Sequence, residues 1–182
     1  MKWRDVIKEG VEQLKVTPTL VKNVRRVANK IAWDIAADLP ADDQQLGMKI
    51  TQLVATINQA EPITATMTLL RAELRPRDSV PDGITGVGAH WSWSEDGARV
   101  YHHDNADEHG KALVTITLVA TVPIRSIDWV YTIATNLIHP AECEITIRNG
   151  ASIALDEIYV DGGDYFDCAG RKVGVSGFYN DF

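Results

Sequence analysis

The sequence predicts an α+β protein, because helical patterns come first along the chain and strand patterns follow. Residues 1–61 repeat apolar side chains at helical spacing, whereas residues 62–182 are rich in β-branched residues and alternate apolar with polar side chains. Helices followed by strands are typical of α+β proteins and not of an alternating parallel sheet. With 182 residues, 45% of them apolar, the chain can bury one good core, so we expect one compact unit.

Three helices are predicted in residues 1–61. The first carries an apolar stripe from Trp3 to Leu14, and the second carries one from Val24 to Ile35. The third is expected to extend from Asp43 to Ala60, with Asp42 or Asp43 as its N-cap. The second helix also has a basic face, which is either solvated or in contact with an acidic partner. That face consists of Lys22, Arg25, Arg26 and Lys30.

Strand patterns dominate after residue 61. The segment 127–138 is compatible with either a short helix or a packed loop. Ser94 is expected to cap a helix that follows a short strand. The expected strands are Ile63 to Leu74 with Arg71, the short strand before Ser94, Lys111 to Val122, the strand from Cys143, Ile153 to Val160, and an edge strand at Val173-Gly-Val175.

The segment from His139 to Ala154 contains a Glu-x-Glu pattern. Period-2 alternation places Glu142 and Glu144 on one face of a predicted strand, roughly 7 Å apart. Asn149-Gly150 predicts a turn into a partner strand at Ala151 to Leu155, so the whole reads as a hairpin. Two carboxylates this close can divide labour, since repulsion raises the pKa of one while the other stays ionised. The alternative is a solvated strand face.

Composition and charge exclude several classes of protein. The net charge of −7 argues against broad nucleic-acid binding, which depends on neutralising phosphates. No apolar run is long enough to span a membrane, and the N-terminus lacks an apolar signal core. Cys143 and Cys168 are too few for a zinc cage, and two thiols in a cytoplasmic protein are a simpler interpretation than a disulfide. We therefore expect a cytoplasmic protein.

Three stretches occur in a distinctive order: Arg71 on a strand, Gly88-Ala-His-Trp-Ser-Trp-Ser-Glu-Asp-Gly-Ala98 at a strand-to-helix turn, and Glu142-Cys-Glu144 on a late strand. Together they resemble the ADP-ribosyltransferase superfamily of the arginine–serine–glutamate type. The resemblance covers about residues 63–160. It implies a split, mostly antiparallel sheet in the transferase-like part, residues 62–182, and we expect the helical segment, residues 1–61, to pack on that sheet.

The resemblance implies NAD as the substrate and assigns roles to six residues. Glu144 would stabilise an oxocarbenium-like transition state while holding a ribose hydroxyl, and Glu142 would orient or deprotonate the acceptor nucleophile. The cofactor-binding residues would be Arg71, His90, Trp91 and Ser92. Among them Arg71 would grip phosphate or ribose, Ser92 would brace the site, and Trp91 or Trp93 could stack on nicotinamide.

The implied activity is mono-ADP-ribosyl transfer to a macromolecular acceptor, with protein arginine favoured by the Glu-x-Glu pattern. Similar short transferases are carried by phages or bacteria as effectors or toxins. His90 departs from the family pattern, because it stands where a serine is usual. Two alternatives therefore remain: a binding protein that retains the fold without NAD chemistry, and an NAD glycohydrolase. Arg71 could also be a rim residue paired with Glu73.

The polar segment 102–109 contains three histidines and three acidic residues and is a candidate metal site. These side chains could bind a divalent cation. The segment lacks helical i, i+4 ligand spacing, so a surface loop near the NAD pocket is the preferred interpretation. Asp161-Gly-Gly-Asp164 lacks a full calcium-loop pattern and is interpreted as a turn.

Overall fold

The computed structural model describes residues 3–13, 18–62, 64–76, 87–99, 113–160, 164–167 and 172–173. Three helices precede the sheet, as the apolar periodicity predicts. They are α1 (Trp3–Gln13), α2 (Pro18–Ala32) and α3 (Ala41–Ala60). Two further helices lie between strands: α4 (Glu95–Arg99) and α5 (Trp129–Ile138). The open choice at 127–138 is thus settled as a helix, whose N-cap Asp128 accepts a hydrogen bond from the Tyr131 amide at 3.2 Å.

The seven described strands form one antiparallel sheet, which confirms the α+β class. Their order is β4-β2-β1-β3-β5-β6-β7. A split sheet was expected, whereas these strands form one hydrogen-bonded series, joined between β1 and β2 by the single registered pair Leu70–Ser92. The strands are β1 (Thr66–Pro76), β2 (His90–Ser92), β3 (Leu113–Pro123), β4 (Glu144–Thr146), β5 (Leu155–Val160), β6 (Asp164–Asp167) and β7 (Lys172–Val173).

One hydrophobic core joins the helical segment to the sheet. It includes Ile50 and Ile57 from α3 together with Leu69 and Leu118 from the two longest strands, all of them fully buried. Trp3 of α1 packs against two other tryptophans: its ring centroid is 5.0 Å from that of Trp93 and 5.8 Å from that of Trp129. Burial of such apolar area is the main source of folding free energy.

The start of α3 differs from the prediction, because neither Asp42 nor Asp43 caps it. The helix begins at Ala41 after Pro40, and no side-chain cap bond is present there. Asp43 is instead fully buried and accepts a hydrogen bond from Arg26 Nε of α2 at 2.8 Å. The arginine holds the carboxylate inside the protein, so part of the basic face pairs internally.

The predicted hairpin after the Glu-x-Glu pattern is wrong. The Asn149-Gly150 turn forms, with Gly150 at φ 79°, but the following residues 151–154 are not in a strand. β4 pairs with β2, and β5 pairs with β3 on the other side of the sheet. The reason is tertiary: the long strand β3 offers β5 a larger pairing edge than the three-residue β4 can offer.

Other predictions fall outside the described residues. These are the metal segment 102–109, Cys168, and most of the turn beginning at Asp161. Among the described residues, no helix is long and apolar enough to cross a membrane.

Candidate functional site

A cleft of about 310 Å³ lies where β1, β2, β4 and α4 meet. It brings together all six residues that the sequence singled out, from three stretches far apart in the chain. Its lining consists of Leu70, Arg71, Ala72, His90, Trp91, Ser92, Gly97, Ala98, Glu142 and Glu144. Side-by-side pairing of β4, β2 and β1 explains this convergence, because the late glutamate stretch adds to the edge of β2.

Glu142 is not on the strand that carries Glu144, contrary to the prediction. It ends a 3-10 turn, Pro140–Glu142, and Cys143 then adopts a left-handed conformation with φ 48°. Strand alternation therefore does not relate the two glutamates. Both nevertheless line the cleft, and their side chains are almost equally buried, 11% exposed for Glu142 and 12% for Glu144.

Three neighbouring side chains contact the Glu144 carboxylate: those of His90, Thr146 and Glu142. Glu144 Oε1 lies 2.6 Å from His90 Nδ1 and accepts a hydrogen bond from Thr146 Oγ1 at 3.0 Å. Burial acts to raise the pKa of Glu144, but the hydrogen bond and charge of His90, together with the hydrogen bonds of Thr146 and Glu142, outweigh it, so this pKa lies below its usual value. Glu144 is therefore a fixed, ionised carboxylate in a largely desolvated position.

Helix α5 anchors the backbone of β4. Asn136 Nδ2 donates to the Glu144 carbonyl oxygen at 2.6 Å, and Thr132 Oγ1 accepts from the Thr146 amide at 3.0 Å. Both α5 side chains are almost fully buried. The sequence analysis missed them, although polar residues on an otherwise apolar helix face are a signal that they bond to something inside.

His90 is the most exposed of the six predicted residues, with 66% of its side chain accessible. The hydrogen bond to Glu144 raises the pKa of His90, and this effect outweighs the opposing effect of partial burial. Because Nδ1 faces Glu144, Nε2 lies on the opposite side of the ring.

Ser92 and Gly97 position the Glu142 turn through its backbone. Ser92 Oγ donates to the Glu142 carbonyl oxygen at 2.9 Å and accepts from the Ser94 amide at 3.1 Å. A Cβ atom on Gly97 would lie 2.2 Å from the same carbonyl oxygen, so only glycine permits this approach of α4. Gly97 was missed by the sequence analysis, whereas the bracing role expected for Ser92 agrees with this geometry.

Arg71 spans β1 and β2. Its Nε lies 2.5 Å from Glu73 Oε1, and its Nη1 donates to the His90 carbonyl oxygen. Glu73 also pairs with Arg75, whose Nη2 lies 2.5 Å from Oε2. Burial acts to raise the pKa of Glu73, but its bonds to the two arginines keep this pKa below its usual value. The suggested pairing with Glu73 is thus present, and Arg71 lines the cleft at the same time.

Neither tryptophan near the cleft presents a free ring. Trp91 is 3% exposed, and its Nε1 donates to the Gly88 carbonyl oxygen at 3.0 Å. Trp93 packs edge-to-face against Trp3 at an interplanar angle of 82°. The rings therefore belong to the core, and the stacking on nicotinamide that the resemblance implied has no support from their placement.

A second cleft, of about 270 Å³, lies between α2 and α5. His139 lines this cleft, and its Nδ1 is also 3.6 Å from Glu142 Oε1. Each cleft glutamate thus has a histidine beside it, but the two distances differ by 1.0 Å.

Metal and thiol chemistry have little support in the described part of the chain. No group of three or more potential metal ligands occurs among those residues. Burial raises the pKa of the Cys143 thiol, which disfavours the nucleophilic thiolate. What the cleft offers is a guanidinium, an imidazole and two buried carboxylates, a set suited to binding an anionic substrate and stabilising a cation.

No family model matches the chain, and neither the curated proteins nor the solved structures contain a match.

Proposed function

We propose that this protein is a mono-ADP-ribosyltransferase that moves ADP-ribose from NAD to a macromolecular acceptor, with protein arginine as the favoured acceptor. One observation carries the proposal: Arg71, Ser92, Glu142 and Glu144, which come from the three stretches that resemble the superfamily, line one cleft. Nothing in the order of these stretches along the chain requires their side chains to meet. Their convergence supports the resemblance.

Glu144 has the properties that the chemical step requires. Cleavage of the nicotinamide–ribose bond passes through an oxocarbenium-like cation, which a preorganised anion stabilises most where water is excluded. Glu144 is 12% exposed, and its pKa is lowered. Because His90 and Thr146 hold its carboxylate, little reorganisation would accompany the appearance of positive charge.

Arg71 and Glu142 fit the remaining roles. A planar guanidinium binds phosphate oxygens in a bidentate manner, and Arg71 lines the same cleft as both carboxylates. Glu142 sits on a turn beside the strand, so it can approach a guanidino acceptor from a direction that strand alternation would not give. The sheet of the ADP-ribosyltransferase type is part of the same proposal.

The test is to incubate the purified chain with labelled NAD and a protein acceptor, and to measure nicotinamide release and label on the acceptor. Wild type should release nicotinamide and label arginine side chains identifiable by mass spectrometry. Glu144→Gln should do neither. Glu12→Gln, an exposed site on α1, is the matched control and should behave as wild type.

The outcomes separate the alternatives. Nicotinamide release without labelled acceptor would identify an NAD glycohydrolase. Absence of release, with no thermal shift in millimolar NAD, would overturn the proposal in favour of a binding protein without NAD chemistry.

A further inference from the structure

We propose that His90 is the general base of this site, and that Glu144 orients it through Nδ1 while Nε2 removes the proton from the attacking nucleophile. This inference rests on the proposed function and adds a catalytic residue to it. It also gives a role in the reaction to His90, which stands where the resembled family usually has a serine.

The geometry fixes the imidazole in a useful tautomer. With Glu144 ionised, the 2.6 Å contact places the proton of neutral His90 on Nδ1, which leaves a lone pair on Nε2. A carboxylate that orients a histidine in this way is the recurring arrangement of histidine bases. Thr146 and Asn136 hold the side chain and carbonyl of Glu144, so the orienting group is itself fixed.

His90 is also placed to reach a substrate. It lines the cleft, and 66% of its side chain is exposed, whereas the two glutamates are largely covered. An acceptor entering the cleft would therefore meet the imidazole before it meets Glu144.

The proposed step is balanced in atoms and electrons. A nitrogen of the guanidino acceptor, or the oxygen of water, forms a bond to C1′ of the ribose. The bond from C1′ to the nicotinamide nitrogen breaks, and its electron pair leaves with neutral nicotinamide. The acceptor proton passes to His90 Nε2, and the imidazolium that forms is stabilised by Glu144.

This arrangement predicts a particular pH dependence. The charged groups facing His90 are Glu144 on β4, Glu142 on the 3-10 turn and Arg71 on β1. Their net effect, with burial, is a pKa raised above the usual 6.5. Below that pKa, His90 is protonated and cannot accept a proton, and its charge offsets the negative charge of Glu144. The value of kcat should therefore rise with pH as His90 loses its proton, and this rise should occur above pH 6.5.

The experiment measures kcat and KM for nicotinamide release against pH in wild type, His90→Asn and His139→Asn. Asparagine can still donate to Glu144 but has no basic nitrogen. We expect the kcat of His90→Asn not to rise with pH, and at high pH to be about 10²–10⁴-fold below that of wild type. Its KM for NAD should change little. His139→Asn should keep the rise of kcat with pH, although His139 also lies beside a cleft glutamate.

His90→Ser is the second variant, and it should give the same flat profile if His90→Asn does not fold. A rise of kcat with pH that persists in either folded variant, or a kcat close to wild type, would overturn the base role while leaving the transferase proposal in place. A wild-type protein that releases no nicotinamide at any pH would overturn both.

Discussion

Glu144 and Glu142 line the same cleft and are equally buried, yet they are held in different ways. Side chains hold the Glu144 carboxylate itself, with His90 at 2.6 Å and Thr146 at 3.0 Å from one oxygen. The Glu142 backbone is positioned by Ser92 and by the close approach of Gly97, and its side chain hydrogen-bonds to that of Glu144. A histidine lies beside the Glu142 carboxylate as well, but at 3.6 Å.

The difference teaches which glutamate suits which task. Stabilising a cation that forms at one point of the reaction requires a charge in a fixed position, and Glu144 provides this. Orienting an acceptor requires a carboxylate on a backbone in a fixed position, and Ser92 and Gly97 hold the Glu142 carbonyl in this way. Under the proposed function, Glu144 therefore suits the bond-breaking step and Glu142 suits the contact with the acceptor.

The largest expected effect comes from neutralising each glutamate in turn. Glu144→Gln should lower nicotinamide release by about 10²–10³-fold, because the amide retains the shape and loses the charge. Glu142→Gln should suppress transfer to the acceptor and spare hydrolysis, since water needs less orientation. Nicotinamide release with and without acceptor measures both effects. Equal loss of hydrolysis in the two variants would show that the labour is not divided.

The second prediction concerns Arg71, which lines the same cleft as the two glutamates. NAD at a hundredfold excess over its dissociation constant should stabilise wild type by about 2.7 kcal/mol, and Arg71→Ala should abolish that thermal shift. Arg75→Ala is the matched control, because Arg75 pairs with the same Glu73 but is not among the cleft residues. If Arg75→Ala removes the shift as well, the effect belongs to the Glu73 ion pairs and not to substrate contact.

The third prediction tests the backbone support of Glu142. Gly97→Ala should destabilise the fold by about 1–3 kcal/mol, since its Cβ would overlap a backbone oxygen that cannot turn away. Thermal or denaturant unfolding measures this. Gly150→Asn, at a position with a positive φ and open space, should be near neutral. Unchanged stability of Gly97→Ala would mean that α4 and the turn can move apart freely.

The smallest expected effect is the pH dependence of stability that His90 and Glu144 share. The pKa of His90 is raised, so its contribution is complete below 6.5 and is lost as pH rises through the raised value. The pKa of Glu144 is lowered, so its contribution is complete above 4.5 and is lost as pH falls through the lowered value. The pair should stabilise the protein most between these two pH values. Subtracting the unfolding profile of His90→Gln from that of wild type should show this window, and identical profiles would contradict it.

A feature of the fold or of the site was predictable when neighbouring residues in the sequence carried the pattern for it. Helix periodicity in residues 1–61 and the strand carrying Arg71 follow from spacing alone, and both are present. The presence of Arg71 and Glu144 in one cleft was expected only through the resemblance that the three motifs carry. The hairpin after Asn149 failed because strand pairing is a tertiary choice, and the Glu142 turn was missed because the Cys143 conformation has no sequence signature. Asn136 and Gly97 act through contacts with the backbones of Glu144 and Glu142, which their own sequence neighbours do not reveal.

The Arg71 guanidinium links strand β1 to strand β2 through its hydrogen bonds. Among the described residues, Leu70–Ser92 is the one pair that registers β1 with β2, and Arg71 bridges the same junction by donating to the His90 carbonyl oxygen. Glu73 occupies a further donor, so the protein's own oxygens compete with any incoming phosphate for this side chain. The affinity for NAD would then include the free energy of breaking the bonds that Arg71 makes to Glu73 and to the His90 carbonyl oxygen. Glu73→Gln weakens that internal competitor, and an unchanged dissociation constant for NAD in this variant would show that no such competition exists.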